Sequence, residues 1–62
     1  MDKETVINMN TDMLVSLINM KLRDYYNSLE DFCYDINIEK NILEEKLAKS
    51  DYKYNKQINQ IR

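Results

Sequence analysis

Apolar residues recur at helical spacing in the first half of this chain. The positions that set the period are Leu14, Leu17, Ile18, Leu22 and Tyr25. This spacing predicts a first helix over about 13–25, with Thr11 and Asp12 as its N-cap. Residues 1–10 show no clear period, and we expect them to be a loosely ordered lead-in to a single small domain that spans residues 1–62.

A second, shorter helix is predicted over about 29–35. Ser28 is a favoured N-cap residue, and Asp31 follows three positions later, as in a capping box. The apolar residues of this stretch fall within one narrow arc of a helix: Leu29, Phe32, Cys33 and Ile36. That arc is expected to face the core.

A third helix follows a two-residue connection. Asn37 tolerates the left-handed backbone of a sharp turn, and Ile38 is expected to point back into the core. The helix then runs over about 39–49. Its inward positions are Leu43 and Leu47.

The C-terminal segment alternates in the manner of strands. Tyr52 and Tyr54 flank Lys53, residues 55–57 can turn, and residues 59–61 can return as a second strand. The sequence therefore predicts a mainly α fold. Three short helices take a helix-turn-helix-like arrangement, and a small C-terminal β-hairpin forms a wing.

Composition argues against several classes of site. The chain has 62 residues, no His and one cysteine, so neither an internal disulfide nor a His/Cys metal framework is available. No apolar run approaches the roughly 18 residues of a membrane span, and the N-terminal residues lack the order of a signal peptide. We expect a cytoplasmic protein without a metal, a cofactor or a membrane partner.

Catalysis is also disfavoured. Without His, general acid–base chemistry at neutral pH lacks its usual residue, and without glycine no phosphate-binding glycine loop is possible. Cys33 lies on the apolar arc and is interpreted as a core residue rather than a nucleophile. Glu44 and Glu45 are neighbours in sequence and diverge by about 100° on a helix. We predict that the protein is not an enzyme, and the sequence implies no small-molecule ligand.

The net charge of −2 is unevenly distributed. Residues 1–48 hold five Lys/Arg and ten Asp/Glu, whereas residues 49–62 hold four Lys/Arg and one Asp. The second helix of a DNA-binding helix-turn-helix would here bring carboxylates towards the phosphates, from Glu39, Glu44 and Glu45. DNA binding is therefore the alternative function, and it would use Lys53 and Lys56 of the basic hairpin.

The first predicted helix has more apolar surface than a small monomer needs. Met13, Leu17 and Met20 extend that surface past half of the circumference. The lead-in can fold over it, another chain can cover it, or it can pack within the chain beside the hairpin tyrosines. The favoured function is a non-catalytic protein-interaction or regulatory module, with a homodimer or another protein as partner and these three residues as candidate contacts.

Three short motifs mark the chain. The first helix ends in N-x-K-L-R-D, a Tyr and a Ser-Leu pair lead into the next helix, and a Tyr-x-Tyr hairpin closes with Asn-Gln. The residues of these motifs are Asn19, Lys21, Leu22, Arg23, Asp24, Tyr26, Ser28, Leu29, Tyr52, Tyr54, Asn59 and Gln60. Together they resemble a family of short bacterial proteins known as domain of unknown function 4250.

Two positions depart from the pattern of that family. Asp51 stands where a glycine is usual, and Asn55 and Lys56 replace a common Asp-Pro turn. We expect Asp51 to strain or reshape the exit from the third helix. The resemblance, over about residues 13–61, implies a fold and supplies no activity.

Overall fold

A computed structural model describes residues 2–62 and confirms the mainly helical fold with a C-terminal hairpin. Four helices and two strands lie within the described part of the chain. They are α1 (Lys3–Asn8), α2 (Thr11–Asp24), α3 (Leu29–Ile36), α4 (Lys40–Ala48), β1 (Tyr54–Asn55) and β2 (Gln60–Ile61). The three predicted helices correspond to α2, α3 and α4.

Helix α1 lies where the sequence predicts only a loosely ordered lead-in. The Asp2 carboxylate caps it by accepting a hydrogen bond from the Thr5 N–H at 2.8 Å. Val6 is fully buried in the core. A helix of six residues with one buried side chain shows no apolar period in the sequence. It could not be predicted from the sequence, because it depends on the burial of Val6 in the core. The expectation for Met1 lies outside the described residues.

Helix α2 differs from its prediction at both ends. Its N-cap is Asn10, whose side chain accepts from the Met13 N–H at 3.2 Å, and not Thr11 or Asp12. Its last residue is Asp24. Tyr25 therefore leaves the apolar arc and is 72% exposed, with the Lys21 ammonium 5.1 Å from the centre of its ring.

Helix α3 begins at Leu29, as the sequence predicts, and ends at Ile36, one residue beyond the predicted end. The Ser28 hydroxyl accepts a hydrogen bond from the Asp31 N–H at 3.1 Å. At the other end Asn37 adopts the left-handed conformation (φ 61°), and the Ile38 N–H donates to the Cys33 carbonyl at 3.0 Å. This is a Schellman turn, and it directs Ile38 into the core.

Helix α4 ends in a second turn of the same type. Asp51 is left-handed (φ 64°), and its N–H donates to the Ala48 carbonyl at 3.0 Å. The Tyr52 N–H donates to the Leu47 carbonyl, also at 3.0 Å. Asp51 therefore takes the left-handed conformation at the position where a helix usually ends with glycine.

The hairpin is antiparallel, with Tyr54 opposite Ile61 and Asn55 opposite Gln60. Beyond β1 and β2, the backbones of Lys53 and Arg62 exchange two hydrogen bonds of 2.9 and 2.8 Å. The turn between the strands, residues 56–59, ends in left-handed Asn59 (φ 53°).

The core draws on every element except β1. Its buried residues are Val6, Leu14, Val15, Ile18, Leu22, Leu29, Phe32, Cys33, Ile38, Leu43, Leu47 and Ile61. Two expected core residues, Leu17 and Ile36, are only half-buried. Val6, Val15 and Ile61 were not expected, because their burial depends on α1 and on the docking of the hairpin against α2.

Candidate functional site

An apolar stripe runs along the exposed side of α2. Met13, Leu17 and Met20 follow one another at spacings of four and three residues, which places them within about 60° of one another on a helix. Met13 is 67% exposed, Met20 is 40% exposed and Leu17 is half-buried. We call these three residues the α2 stripe.

The α2 stripe lies opposite the buried face of the same helix. Ile18 and Leu22 point into the core on that buried face. One tight ion pair stands just beyond Met20, in which the Arg23 guanidinium donates to the Asp24 carboxylate at 3.0 and 3.1 Å. The hydrogen bonds of that pair lower the pKa of Asp24. The stripe is therefore apolar along its length and charged at its C-terminal end.

Neither the lead-in nor the hairpin tyrosines cover the stripe. Helix α1 contributes Val6 to the core, while its Ile7 lines an open groove beside α4 with Ile42. The hairpin tyrosines, Tyr52 and Tyr54, pack against the core as half-buried side chains. Within the described chain, the two methionines of the stripe thus remain exposed.

The candidate nucleic-acid contacts, Lys53 and Lys56, do not lie side by side. Lys53 precedes β1, whereas Lys56 lies in the turn at the far end of the hairpin. The residue beside Lys53 is Arg62, because the antiparallel register makes them a hydrogen-bonded pair. One feature of the sequence indicated the pairing of Lys53 with Arg62, namely the two predicted strands on either side of a turn at residues 55–57.

Helix α4 presents carboxylates next to the hairpin. Glu44 and Glu45 are exposed, as is Glu39 at the helix N-cap. Among residues 2–62, the one salt bridge made by α4 joins Lys40 to Glu30 of α3 at 3.4 Å. The surface that would face a DNA groove in a helix-turn-helix is therefore acidic.

Cys33 is a core residue, as predicted. It is buried between α3 and the rest of the core. Burial raises the pKa of its thiol from an ordinary value near 9 to about 11. The nucleophilic thiolate is therefore a minor form at neutral pH.

Polar side chains join α2 to the hairpin. The Asn19 side-chain amide donates to the Ile61 carbonyl at 3.1 Å and accepts from the Ile61 N–H at 2.6 Å. Asn59 donates to the carbonyls of Leu22 and Tyr26, at 3.1 Å each, where α2 ends. The side-chain oxygen of Asn59 also accepts a hydrogen bond from the Tyr54 hydroxyl at 2.7 Å.

Gln60 completes this junction. Its side-chain amide donates to the Asn19 carbonyl at 3.3 Å and to the Asn59 carbonyl at 2.9 Å. Asn19, Asn59 and Gln60 are the asparagines and the glutamine of the motifs that carry the family resemblance. Those motifs therefore join the hairpin to α2, a role that their sequence positions alone did not show.

Residues 2–62 present neither a cluster of metal-ligating side chains nor a helix that could span a membrane. No group of three or more His, Cys, Asp or Glu side chains in that range has an arrangement that could hold a metal ion. None of the helices within the same range has the length and apolar character needed to cross a bilayer.

Comparison with known proteins yields one match. The model of a family described as Domain of unknown function (DUF4250) matches residues 8–61. No curated protein and no solved structure matches the chain. The match covers most of the 62 residues and includes the N-x-K-L-R-D motif, the hairpin tyrosines and the closing Asn-Gln pair. The chain therefore belongs to the DUF4250 family.

Proposed function

We propose that this protein is a non-catalytic interaction module that self-associates through the α2 stripe as a two-fold dimer. The observation that carries the proposal is the exposure of Met13 and Met20 on the side of α2 opposite the core. A cytoplasmic location belongs to the same proposal and rests on the sequence alone.

Burial of the stripe would add stability that the domain alone lacks. A domain of this size buries only about 60% of the surface that its unfolded chain exposes. Each Å² of apolar surface removed from water contributes about 25 cal/mol. Methionine side chains are flexible and adapt to a neighbouring surface. A two-fold axis places the same patch against itself, so the stripe of one copy can bury that of the other.

The charge pattern of α2 supports such a contact. Residues 13–20 contain no charged side chain, although the chain as a whole carries a net charge of −2. Two copies can therefore approach along the stripe without bringing like charges together. Helices that pack in this way cross at preferred angles with axes about 8–10 Å apart.

Sedimentation at tens of micromolar tests the proposal. We expect the wild-type chain to sediment at twice its mass of 7.5 kDa. Met20→Glu places a carboxylate in the contact and is expected to give a monomer. Ile58→Glu is the matched control, because Ile58 is exposed to a similar extent (48%) but lies in the hairpin turn. It should leave the dimer intact.

Two results would overturn the proposal. A wild-type monomer at this concentration rules out self-association. A dimer that survives Met20→Glu but not Ile58→Glu places the contact on the hairpin instead of on α2. Circular dichroism of both variants checks that the helices are retained.

DNA binding is the second candidate function. Lys53, Lys56 and Arg62 are exposed, and in the described chain none of them takes part in a salt bridge. Micromolar binding to random duplex DNA that weakens steeply with added salt would favour this function. Lys53→Glu should then reduce the affinity, whereas Lys3→Glu in α1 makes the same charge change away from the hairpin.

A further inference from the structure

The two edges of the hairpin differ in their hydrogen bonding. On the outer edge of β2, the Asn19 amide pairs with both backbone groups of Ile61. On the outer edge of β1, the N–H and C=O of Tyr54 point away from β2, because Lys53 and Arg62 form the hydrogen-bonded pair next to it. Tyr54 and Ile61 are thus a non-hydrogen-bonded pair of the ladder, and the Tyr54 backbone groups face the side of β1 that has no neighbouring strand within residues 2–62. One edge is closed and the other is open.

We propose that the open edge of β1 binds an extended peptide segment of another protein, with alternating acidic and apolar side chains, which adds to the hairpin as a third strand. An exposed strand edge offers backbone hydrogen bonds for this mode of binding, and flanking pockets select the side chains. This surface is separate from the α2 stripe. The inference goes beyond the proposed dimer and does not depend on it.

The inner side of this edge accommodates apolar side chains. A groove of about 380 Å³ lies between α4 and β1. Its apolar walls are Leu47, Ala48, Tyr52 and Tyr54. Side chains of an added strand alternate between its two faces, so every second residue of the peptide would enter this groove.

The outer side of the edge selects carboxylates. Lys53 and Arg62 are cross-strand neighbours, so their side chains lie on the same face of the hairpin. With Tyr54 and Asn55 they line a depression of about 370 Å³. Like charges placed opposite each other are unfavourable, and a carboxylate of the added strand on the same face, beside Lys53, offsets this repulsion. The other residues of the peptide should therefore be acidic.

The charged side chains around this edge disfavour two other occupants, a second copy of the chain and a nucleic acid. A second copy paired edge to edge would bring its own Lys53 and Arg62 to the same face of the extended sheet. A nucleic acid would bring phosphates towards Glu44 and Asp51, which line the inner groove. An acidic peptide meets neither problem, because its carboxylates lie on the outer face and its apolar residues lie beside α4.

Nuclear magnetic resonance of the ¹⁵N-labelled chain can test the proposal with a defined probe, the peptide acetyl-EVEVE-amide. We expect the Tyr54 amide to shift downfield and to exchange with solvent more slowly, because it gains a hydrogen bond. The peptide acetyl-KVKVK-amide should bind at least about tenfold more weakly. An EVEVE peptide with N-methylated valines keeps the charges but loses backbone donors, and it should not shift the Tyr54 amide.

Charge reversal on the protein gives a second measurement. Lys53→Glu/Arg62→Glu should weaken EVEVE binding by about tenfold. Lys3→Glu/Lys49→Glu changes the net charge equally and should leave the affinity within about twofold of wild type. Neither double variant alters the α2 stripe, so sedimentation reports on the dimer separately.

Several outcomes would overturn the inference. They are no binding of EVEVE at millimolar concentration, equal binding of the N-methylated peptide, or shifts centred on the α1–α4 groove instead of Tyr54. Duplex DNA that shifts the Tyr54 region while EVEVE does not would assign the surface to nucleic acid and overturn the inference as well.

Discussion

The Asn19 side chain pairs with the backbone of Ile61 in the way that a neighbouring strand would. Its nitrogen donates to the Ile61 carbonyl at 3.1 Å, and its oxygen accepts the Ile61 N–H at 2.6 Å. A side-chain amide carries one acceptor and two donors, which lets a single residue reproduce both contacts of a peptide unit. Helix α2 thereby holds β2 in place and closes its outer edge.

Replacing Asn19 with Ala should loosen the hairpin. Two hydrogen bonds to partly buried backbone groups are lost, at a cost of about 1–3 kcal/mol in the free energy of unfolding. Urea denaturation measures this loss. Ser16→Ala, on the exposed side of the same helix, should change stability by less than about 0.5 kcal/mol. Hydrogen exchange at the Ile61 amide should accelerate in the Asn19 variant, and unchanged exchange there would contradict the role of Asn19.

Asn59 combines two roles that substitution can separate. It holds a left-handed backbone (φ 53°), and its side chain bonds to α2 and to Tyr54. Asn59→Gly keeps the conformation and removes the side chain, whereas Asn59→Ala loses both. We expect the Ala variant to be less stable than the Gly variant by about 1 kcal/mol, as thermal unfolding can measure. Equal stabilities would mean that the backbone conformation contributes nothing.

Asp51→Gly should stabilise the chain by up to about 1 kcal/mol. Asp51 is left-handed, and glycine adopts this conformation without a steric cost. Asn37→Gly is the matched comparison, because Asn37 ends α3 in the same type of turn. Asparagine tolerates that conformation better than most residues, so its replacement should gain less. Chemical denaturation of both variants decides the order.

Leu43→Ala should cost about 2–5 kcal/mol in the free energy of unfolding. Leu43 is fully buried at the centre of α4, and its truncation leaves a cavity in a small core. Met13→Ala removes an exposed apolar side chain and serves as the control. Measured at concentrations where the chain is monomeric, it should change stability by less than about 0.5 kcal/mol.

Stability should fall as the pH rises from about 9 to 11. Burial raises the pKa of the Cys33 thiol to about 11, so the folded state retains a proton that the unfolded state loses near pH 9. The contribution of the Cys33 thiol to the free energy of unfolding is fully present below about pH 9. It is lost as the pH rises through 11, and the loss is roughly 2 kcal/mol. Hydrogen bonds to Asp35 and Asp12 raise the pKa of Tyr26 and Tyr52, which acts in the same direction.

Cys33→Ala isolates the thiol in that experiment. Its stability should decline less over this pH range than that of the wild type, and the difference is the thiol contribution. Labelling of Cys33 by a thiol reagent at pH 8 should also be slow in the folded chain and fast in urea. Rapid labelling of the folded chain would contradict the burial of Cys33.

Much of the fold follows from local patterns in the sequence. The periods of α2, α3 and α4 are set by their own apolar residues, and Ser28 and Asn37 act through their nearest backbone groups. The alternation about Lys53 likewise predicts a hairpin. Such signals can be read from sequence because the interacting residues are at most a few positions apart.

The tertiary structure decided the features that link distant residues. Asn19 meets Ile61 across 42 positions of sequence, and Lys53 becomes the neighbour of Arg62 only once the strands pair. Helix α1 forms within the predicted lead-in because Val6 is buried in a core that distant residues supply. The exposure of the α2 stripe also depended on where α1 and the hairpin packed. Each of these outcomes required long-range docking, in which burial and hydrogen bonds offset the entropy of ordering the chain, and no local pattern encodes that balance.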